Sequence, residues 1–157
     1  MMKAVGHIGI STPNLKRLMD FYIKQMGCVE IGQLEWPVGT DRVDKVVGLR
    51  GSSAKNSMVR LGDVCIEFFE FAAPKPKTKP KDYPANDHGI SHFCFLVEDI
   101  HAEYDRLSAV GVPFNTEPQK FDGVWATYGR DPDGNIFELM QMEAGTENPM
   151  QTTVKNW

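Results

Sequence analysis

Nowhere in the 157 residues does an apolar run approach the ~18 needed to cross a bilayer, and no basic-then-apolar leader with a cleavage site opens the chain. Neither membrane insertion nor secretion is therefore expected. A surplus of Lys and Arg is lacking too: the formal net charge is -4, which leaves no electrostatic footprint for nucleic acid. Cysteine is scarce and odd in number. Cys28, Cys65 and Cys94 are widely spaced in apolar surroundings such as Val64-Cys65-Ile66 and Phe93-Cys94-Phe95, so they read as small core residues, and a reducing, cytoplasmic setting is the expectation.

What is present is an ordinary globular balance, 41% apolar and 24% charged, enough for one domain or two small modules sharing a core. The one dense basic run, Lys75, Lys77, Lys79 and Lys81, alternates with prolines and reads as an extended, solvated connector. A small-molecule partner fits this composition better than a nucleic acid or a membrane, and a homodimer is the expected assembly.

The chain repeats itself. Val5-Gly6-His7-Ile8-Gly9-Ile10 and Ile90-Ser91-His92-Phe93-Cys94-Phe95 both read as strands. Each precedes an amphipathic stretch at helical spacing, with Leu15, Leu18, Phe21 and Tyr22 in the first and Ile100, Tyr104 and Leu107 in the second. Glycines close both helices, at Gly27 and Gly111. Strand-like runs follow at Val29–Leu34, Ser57–Arg60 and Val64–Phe71, and again at Val112–Thr116, Val124–Tyr128 and Ile136–Met142. The last strand of each half follows a tight turn, Gly62-Asp63 or Asp131-Pro132-Asp133-Gly134-Asn135. The expected class is α+β, with two βαβββ modules at 1–72 and 90–142, a linker at 73–89 and a tail at 143–157. The separation of the two halves is too long for a solenoid, whose repeats run about 20–50 residues, and suggests a duplicated module. The stretch Val38–Ser53 has no counterpart in the second half and reads as a long loop folding over a pocket.

The duplication sets polar residues at matching points of apolar strands: His7 and His92 in the first strands, Glu67 and Glu138 in the last. Side chains alternate along a strand, so Glu67 shares its face with Cys65, Phe69 and Phe71, and Glu138 with Ile136, Met140 and Met142. An ionised carboxylate in such surroundings costs several kcal/mol unless it is paired or metal-bound. Alone, each of these residues would more often be a solvated or satisfied side chain; four in register favour metal ligation. Imidazole with carboxylate suits Fe(II), Mn(II), Co(II), Ni(II) or Zn(II), so one divalent ion per chain is expected. Glu70 falls on the other strand face and stays outside the set. His88, in the connector, and His101, at the start of the second helix, read as solvated. Arg60, Trp125, Tyr128 and Arg130 are candidate substrate contacts, with Trp36 a further apolar wall.

The patterns His-Ile-Gly-Ile-x-x-x-Asn-Leu…Phe-Tyr at His7–Tyr22, Ile-Glu-Phe-Phe-Glu at Ile66–Glu70, Ile-Ser-His-Phe-Cys-Phe at Ile90–Phe95 and Asp-Pro-Asp-Gly-Asn-Ile-Phe-Glu-Leu at Asp131–Leu139 resemble the vicinal oxygen chelate superfamily over roughly residues 3–142. That superfamily includes glyoxalase I, methylmalonyl-CoA epimerase, extradiol dioxygenases and drug-resistance proteins. The resemblance implies paired modules forming a cupped eight-stranded mixed sheet around a metal, with His7, Glu67, His92 and Glu138 where glyoxalase-like members place their ligands. It further implies a Lewis acid that chelates vicinal oxygens. With two carboxylates in the set, proton transfer beside a chelated carbonyl or hydroxyl of a small organic acid, thioester or thiohemiacetal is expected, Glu138 or Glu67 serving as base. An Fe(II)-dependent extradiol-type dioxygenase using His7, His92 and Glu138 alone, and a non-catalytic binding protein, are the alternatives.

Overall fold

The computed structural model describes Met1 and residues 4–146, so most of the polar tail expected at 143–157 lies outside the described residues. Two units emerge, Met1–Lys81 and Asp82–Trp157. The division falls inside the Lys- and Pro-rich connector.

In the first unit the order is β1 (His7–Ser11), α1 (Leu15–Lys24), β2 (Val29–Trp36), α2 (Asp41–Val47), β3 (Ser53–Leu61) and β4 (Val64–Ala73). The strands form one sheet in the order β1-β4-β3-β2, with β1 parallel to β4 and the other pairs antiparallel. The second unit repeats this with β5 (His92–Leu96), α3 (Ile100–Ala109), β6 (Gln119–Lys120), β7 (Val124–Arg130) and β8 (Ile136–Met142), in the order β5-β8-β7-β6. The fold is therefore α+β, eight strands in two four-stranded mixed sheets.

The two crossover helices, α1 and α3, begin where a polar side chain takes over an orphan backbone donor. Asn14 Oδ1 accepts from Arg17 N at 2.9 Å, and Asp99 Oδ1 accepts from Ala102 N at 3.0 Å. A second anchor is also duplicated. Glu70 Oε2 accepts from Leu15 N at 2.6 Å, and Gln141 Oε1 accepts from Ile100 N at 2.9 Å, so the residue three past each strand glutamate ties the first helical amide to the sheet. This places the helix on the sheet face opposite Glu67 or Glu138. Under α1 lie Leu18, Tyr22, Val59, Ile66 and Phe68, and with α3 lie Ile100, Leu107, Phe137 and Leu139, all buried.

Three local expectations change. The stretch read as a long loop contains α2, which Gly48 ends in the left-handed conformation (φ 70°). Asp44 organises the rest: its carboxylate accepts from Gly51 N, Ser52 N and Ser52 Oγ, and Ser52 Oγ in turn accepts from Trp36 Nε1 at 3.0 Å. Short-range bonds to one aspartate shape this segment, and they leave little periodicity to read. The strand expected at Val112–Thr116 is reduced to a bridge between Phe114 and Gly129, and the regular strand is Gln119–Lys120. Pro113 and Pro118 supply no backbone donors, and residues 115–117 bend between them. At its other end β3 reaches back to Ser53, four residues before its expected start at Ser57.

Gly129 is where the second core leaves no room. A Cβ there would stand 2.5 Å from Phe137 Cζ and 2.8 Å from Phe114 Cε1. Gly129→Ala is expected to cost at least about 2 kcal/mol, as overpacking of a tight core does. Urea denaturation measures it, and a loss below about 0.5 kcal/mol would show that the two rings yield.

Candidate metal centre

Parallel pairing brings each histidine next to its glutamate. Along the face of the first sheet away from α1, the register makes cross-strand rows: His7, Cys65 and Arg60; then Gly9, Glu67 and Met58; then Ser11, Phe69, Asn56 and Leu34. The second sheet has the corresponding rows His92, Ile136 and Arg130; Cys94, Glu138 and Tyr128; and Leu96, Met140 and Ala126. In both, histidine and glutamate occupy adjoining rows of neighbouring strands. His7 Nε2 lies 3.1 Å from Glu67 Oε2, and His92 Nε2 lies 3.2 Å from Glu138 Oε2.

The surroundings of the two pairs differ. Glu67 Oε1 accepts from Asn56 Nδ2 at 2.6 Å. Glu138, only 8% exposed, meets no Lys or Arg in an ion pair among the described residues. Its neighbours are His92, the cross-strand Cys94, and Tyr128. Desolvation, and then the negative charge of Glu138, push the Cys94 thiol up to about 12. The same two causes raise the Tyr128 phenol. Tyr128 Oη also stands 3.3 Å from His92 Nε2, with the rings 4.6 Å apart, and Ser91 Oγ lies 2.8 Å from His92 Nδ1. Ser91 and Tyr128 thus bracket the imidazole at its two nitrogens.

The donors suit a divalent metal. Neighbouring ligand atoms on an ion bound at ~2.1 Å lie about 3 Å apart, the separation found in both pairs, and imidazole nitrogen with carboxylate oxygen is a borderline-hard donor set. Each unit supplies two such atoms. Among the described residues no group of three or more His, Cys, Asp or Glu gathers at one place.

The other residues singled out from the sequence are placed as follows. Tyr128 sits in the same row as Glu138. Arg60, exposed, shares the face of His7 and Glu67. Arg130 shares the face of Glu138, but its guanidinium donates to Gly134 O at 2.9 Å and Tyr83 O at 2.8 Å and covers the Tyr83 ring, bracing the turn before β8. Trp125 is not brought together with the pair: it pairs with Gln141 on the helix face, against His101 and under the Lys120 ammonium. Trp36 is buried edge-on to Phe69 and Phe71, on the face of Glu67. Of the cysteines expected in the core, Cys28 is buried, Cys65 is half-buried and Cys94 is exposed. His88 is exposed, as is His101 beside Trp125.

Asn56 was missed by the sequence reading. It lies before the expected start of β3, where Ala54, Asn56 and Met58 continue the alternation of that strand by two further steps. That alternation was the available signal.

The turn into β8 is held by Asp131, whose Oδ1 accepts from Asp133 N at 2.8 Å and Asn135 N at 2.9 Å while its Oδ2 accepts from Asn135 Nδ2. Gly134, with φ 86°, takes the left-handed position that this turn requires. The turn therefore fixes where Ile136, and with it Glu138, enters the sheet.

The model of the Glyoxalase/Bleomycin resistance protein/Dioxygenase superfamily matches residues 4–139, and the chain belongs to that superfamily, whose fold is the vicinal oxygen chelate fold. A relative from Actinomyces sp., named 2-epi-5-epi-valiolone epimerase, is 29% identical over 161 residues, covering 97% of this chain and 86% of its own. Among solved structures, a glyoxalase family protein from Bacillus cereus aligns with a TM-score of 0.81 at 21% identity, covering 90% of this chain and 95% of its own. The fosfomycin resistance protein FosX from Listeria monocytogenes, solved with Mn(II) and sulfate, aligns with a TM-score of 0.60 at 17% identity, covering 92% of this chain and 96% of its own. These two likenesses concern the fold. Among the described residues, no helix is long and apolar enough to cross a membrane.

The raised Cys94 thiol has a chemical signature. The thiolate is the nucleophile, so a pKa raised from 9.0 to about 12 leaves about a thousandfold less thiolate at pH 8 than an unperturbed cysteine has. Although its residue is exposed, Cys94 is expected to alkylate slowly with iodoacetamide at pH 8 and to quicken several-fold in Glu138→Gln. Site-resolved mass spectrometry reads both, and alkylation at the rate of a free cysteine would contradict the assignment.

Proposed function

We propose that the protein is a metal-dependent isomerase or epimerase that moves a proton next to an oxygen of a small substrate. The observation carrying this reading is the duplicated pair: a histidine nitrogen 3.1–3.2 Å from a strand glutamate oxygen in each module, the Glu138 carboxylate buried with no Lys or Arg ion pair among the described residues. His7 with Glu67, and His92 with Glu138, would each supply one nitrogen and one oxygen ligand to a divalent ion. When bound, that ion supplies Lewis-acid stabilisation of negative charge on a substrate oxygen.

The chain's own groups account for the remainder. Glu138 has a carboxylate free of any Lys or Arg partner, so it is the candidate base for a proton on the carbon next to that oxygen. Tyr128, in the same row, keeps its proton and serves as a hydrogen-bond donor to substrate. A proton delivered from solvent to the opposite face of the carbon inverts the centre while Glu138 releases its own proton to solvent, and no electrons are exchanged. Arg60 stands on the face of Glu67 as a counter-charge for an anionic substrate. The epimerase name of the Actinomyces relative supports a redox-neutral reaction over oxygen chemistry.

Solvent exchange tests the reading. With Mn(II) added and air excluded, 2-epi-5-epi-valiolone, 2-oxo and 2-hydroxy acids and acyl-CoA thioesters are incubated with the protein in deuterium oxide. At least one class is expected to take deuterium at the carbon next to oxygen, and Glu138→Gln is expected to slow this about 10²–10⁴-fold. Oxygen uptake with a catechol and no deuterium in any of these compounds would overturn the proposal in favour of a dioxygenase.

A further inference from the structure

The two sheets carry the same ligand pair with different neighbours, and the difference is systematic. Around Glu67 the register sets Gly9 and Met58 in its own row and Asn56 in the next. Around Glu138 the same three places hold Cys94, Tyr128 and Ala126. An amide donor is therefore present beside the first glutamate, and alanine stands at the same place beside the second.

We infer that Asn56 is a positioning residue that fixes Glu67 as a one-oxygen ligand and thereby makes the two glutamates unequal; this rests on the proposed metal-binding reading. Asn56 is 6% exposed, and its Nδ2 donates to Glu67 Oε1 at 2.6 Å. A buried amide donor to a charged acceptor is among the stronger hydrogen bonds, and leaving it unmade is costly for both partners. With Oε1 held, the plane of the carboxylate is set, and Oε2 is the oxygen turned to His7 Nε2 at 3.1 Å.

Glu138 has no such clamp. Ala126 offers no hydrogen, and the groups within reach are a thiol, a weak donor, and the Tyr128 phenol shared with His92. Swinging Glu138 away from its histidine therefore breaks no amide bond, whereas swinging Glu67 does. Division of labour follows: Glu67 stays in place, and Glu138 is the carboxylate that moves to meet a proton.

Crystal structures and Mn(II) titrations of the wild type, Asn56→Leu, Asn56→Ala and Asn56→Gln test this. In Asn56→Leu and Asn56→Ala the Glu67 carboxylate is expected to leave its place beside His7 while Glu138 and His92 stay, and the Mn(II) Kd is expected to rise about 10–100-fold, as for outer-shell partners of metal ligands. Asn56→Gln, which keeps the amide, is expected to restore most of the affinity. A Glu67 carboxylate unmoved in both truncations, with Kd within twofold of wild type, overturns the inference. If one truncation fails to fold, the other decides. Should the wild type itself take up no Mn(II), the metal reading fails, and the position of the carboxylate in the truncations alone decides the role of Asn56.

Discussion

Everything proposed for this protein depends on one pairing, the parallel ladder between the first and last strands of each module. β1 and β4 are far apart in sequence, as are β5 and β8, and a parallel pair needs a crossover to join. Here the crossover is the helix followed by two antiparallel strands. Register then does the chemical work: aligning His7 with Cys65 sets the imidazole one row from Glu67, and aligning His92 with Ile136 does the same for Glu138. A slip of one residue would turn one partner of each pair to the helix side.

The same strands do two jobs on opposite faces. On one face β4 offers Cys65, Glu67, Phe69 and Phe71; on the other, Ile66 and Phe68 pack beneath α1 while Glu70 ties the helix start. The second module copies the plan with Gln141 in place of Glu70. Packing against the helix thus holds rigid the strand whose far face must hold its ligands to within a few tenths of an ångström. The insertion carrying α2 sits between β2 and β3, and its bonds converge on Asp44, so it leaves the β1–β4 register of the first pair untouched.

Much of this was legible because duplication makes a weak signal strong. A single strand glutamate says little, but Glu67 and Glu138 at equivalent points, each paired with a histidine at equivalent points, say a good deal. The helices α1 and α3 announced themselves through spacing, whereas α2 did not. What stayed hidden depends on geometry that alternation does not encode. Trp125 and Tyr128 are both aromatic residues of β7, but an odd separation puts them on opposite faces, and only the register shows which one faces Glu138. Arg130 is on the right face yet is drawn off by the carbonyls of Gly134 and Tyr83. Asn56 was hidden because the segment before Ser57 is shaped by Asp44 at one end and by sheet pairing at the other, and the boundary between them leaves no turn residue to mark it.

The helix anchors bear on how the two modules respond to their medium. Glu70 presents a full negative charge to the positive end of α1, where Gln141 presents only a neutral amide oxygen to α3. The attraction of a carboxylate for a helix start is worth about 0.3–1 kcal/mol at low ionic strength and is weakened by salt and by acid, whereas an amide contact is indifferent to both. The two modules therefore differ in a thermodynamic sense: the first holds its helix partly by electrostatics that the solution can tune, and the second by a bond that it cannot.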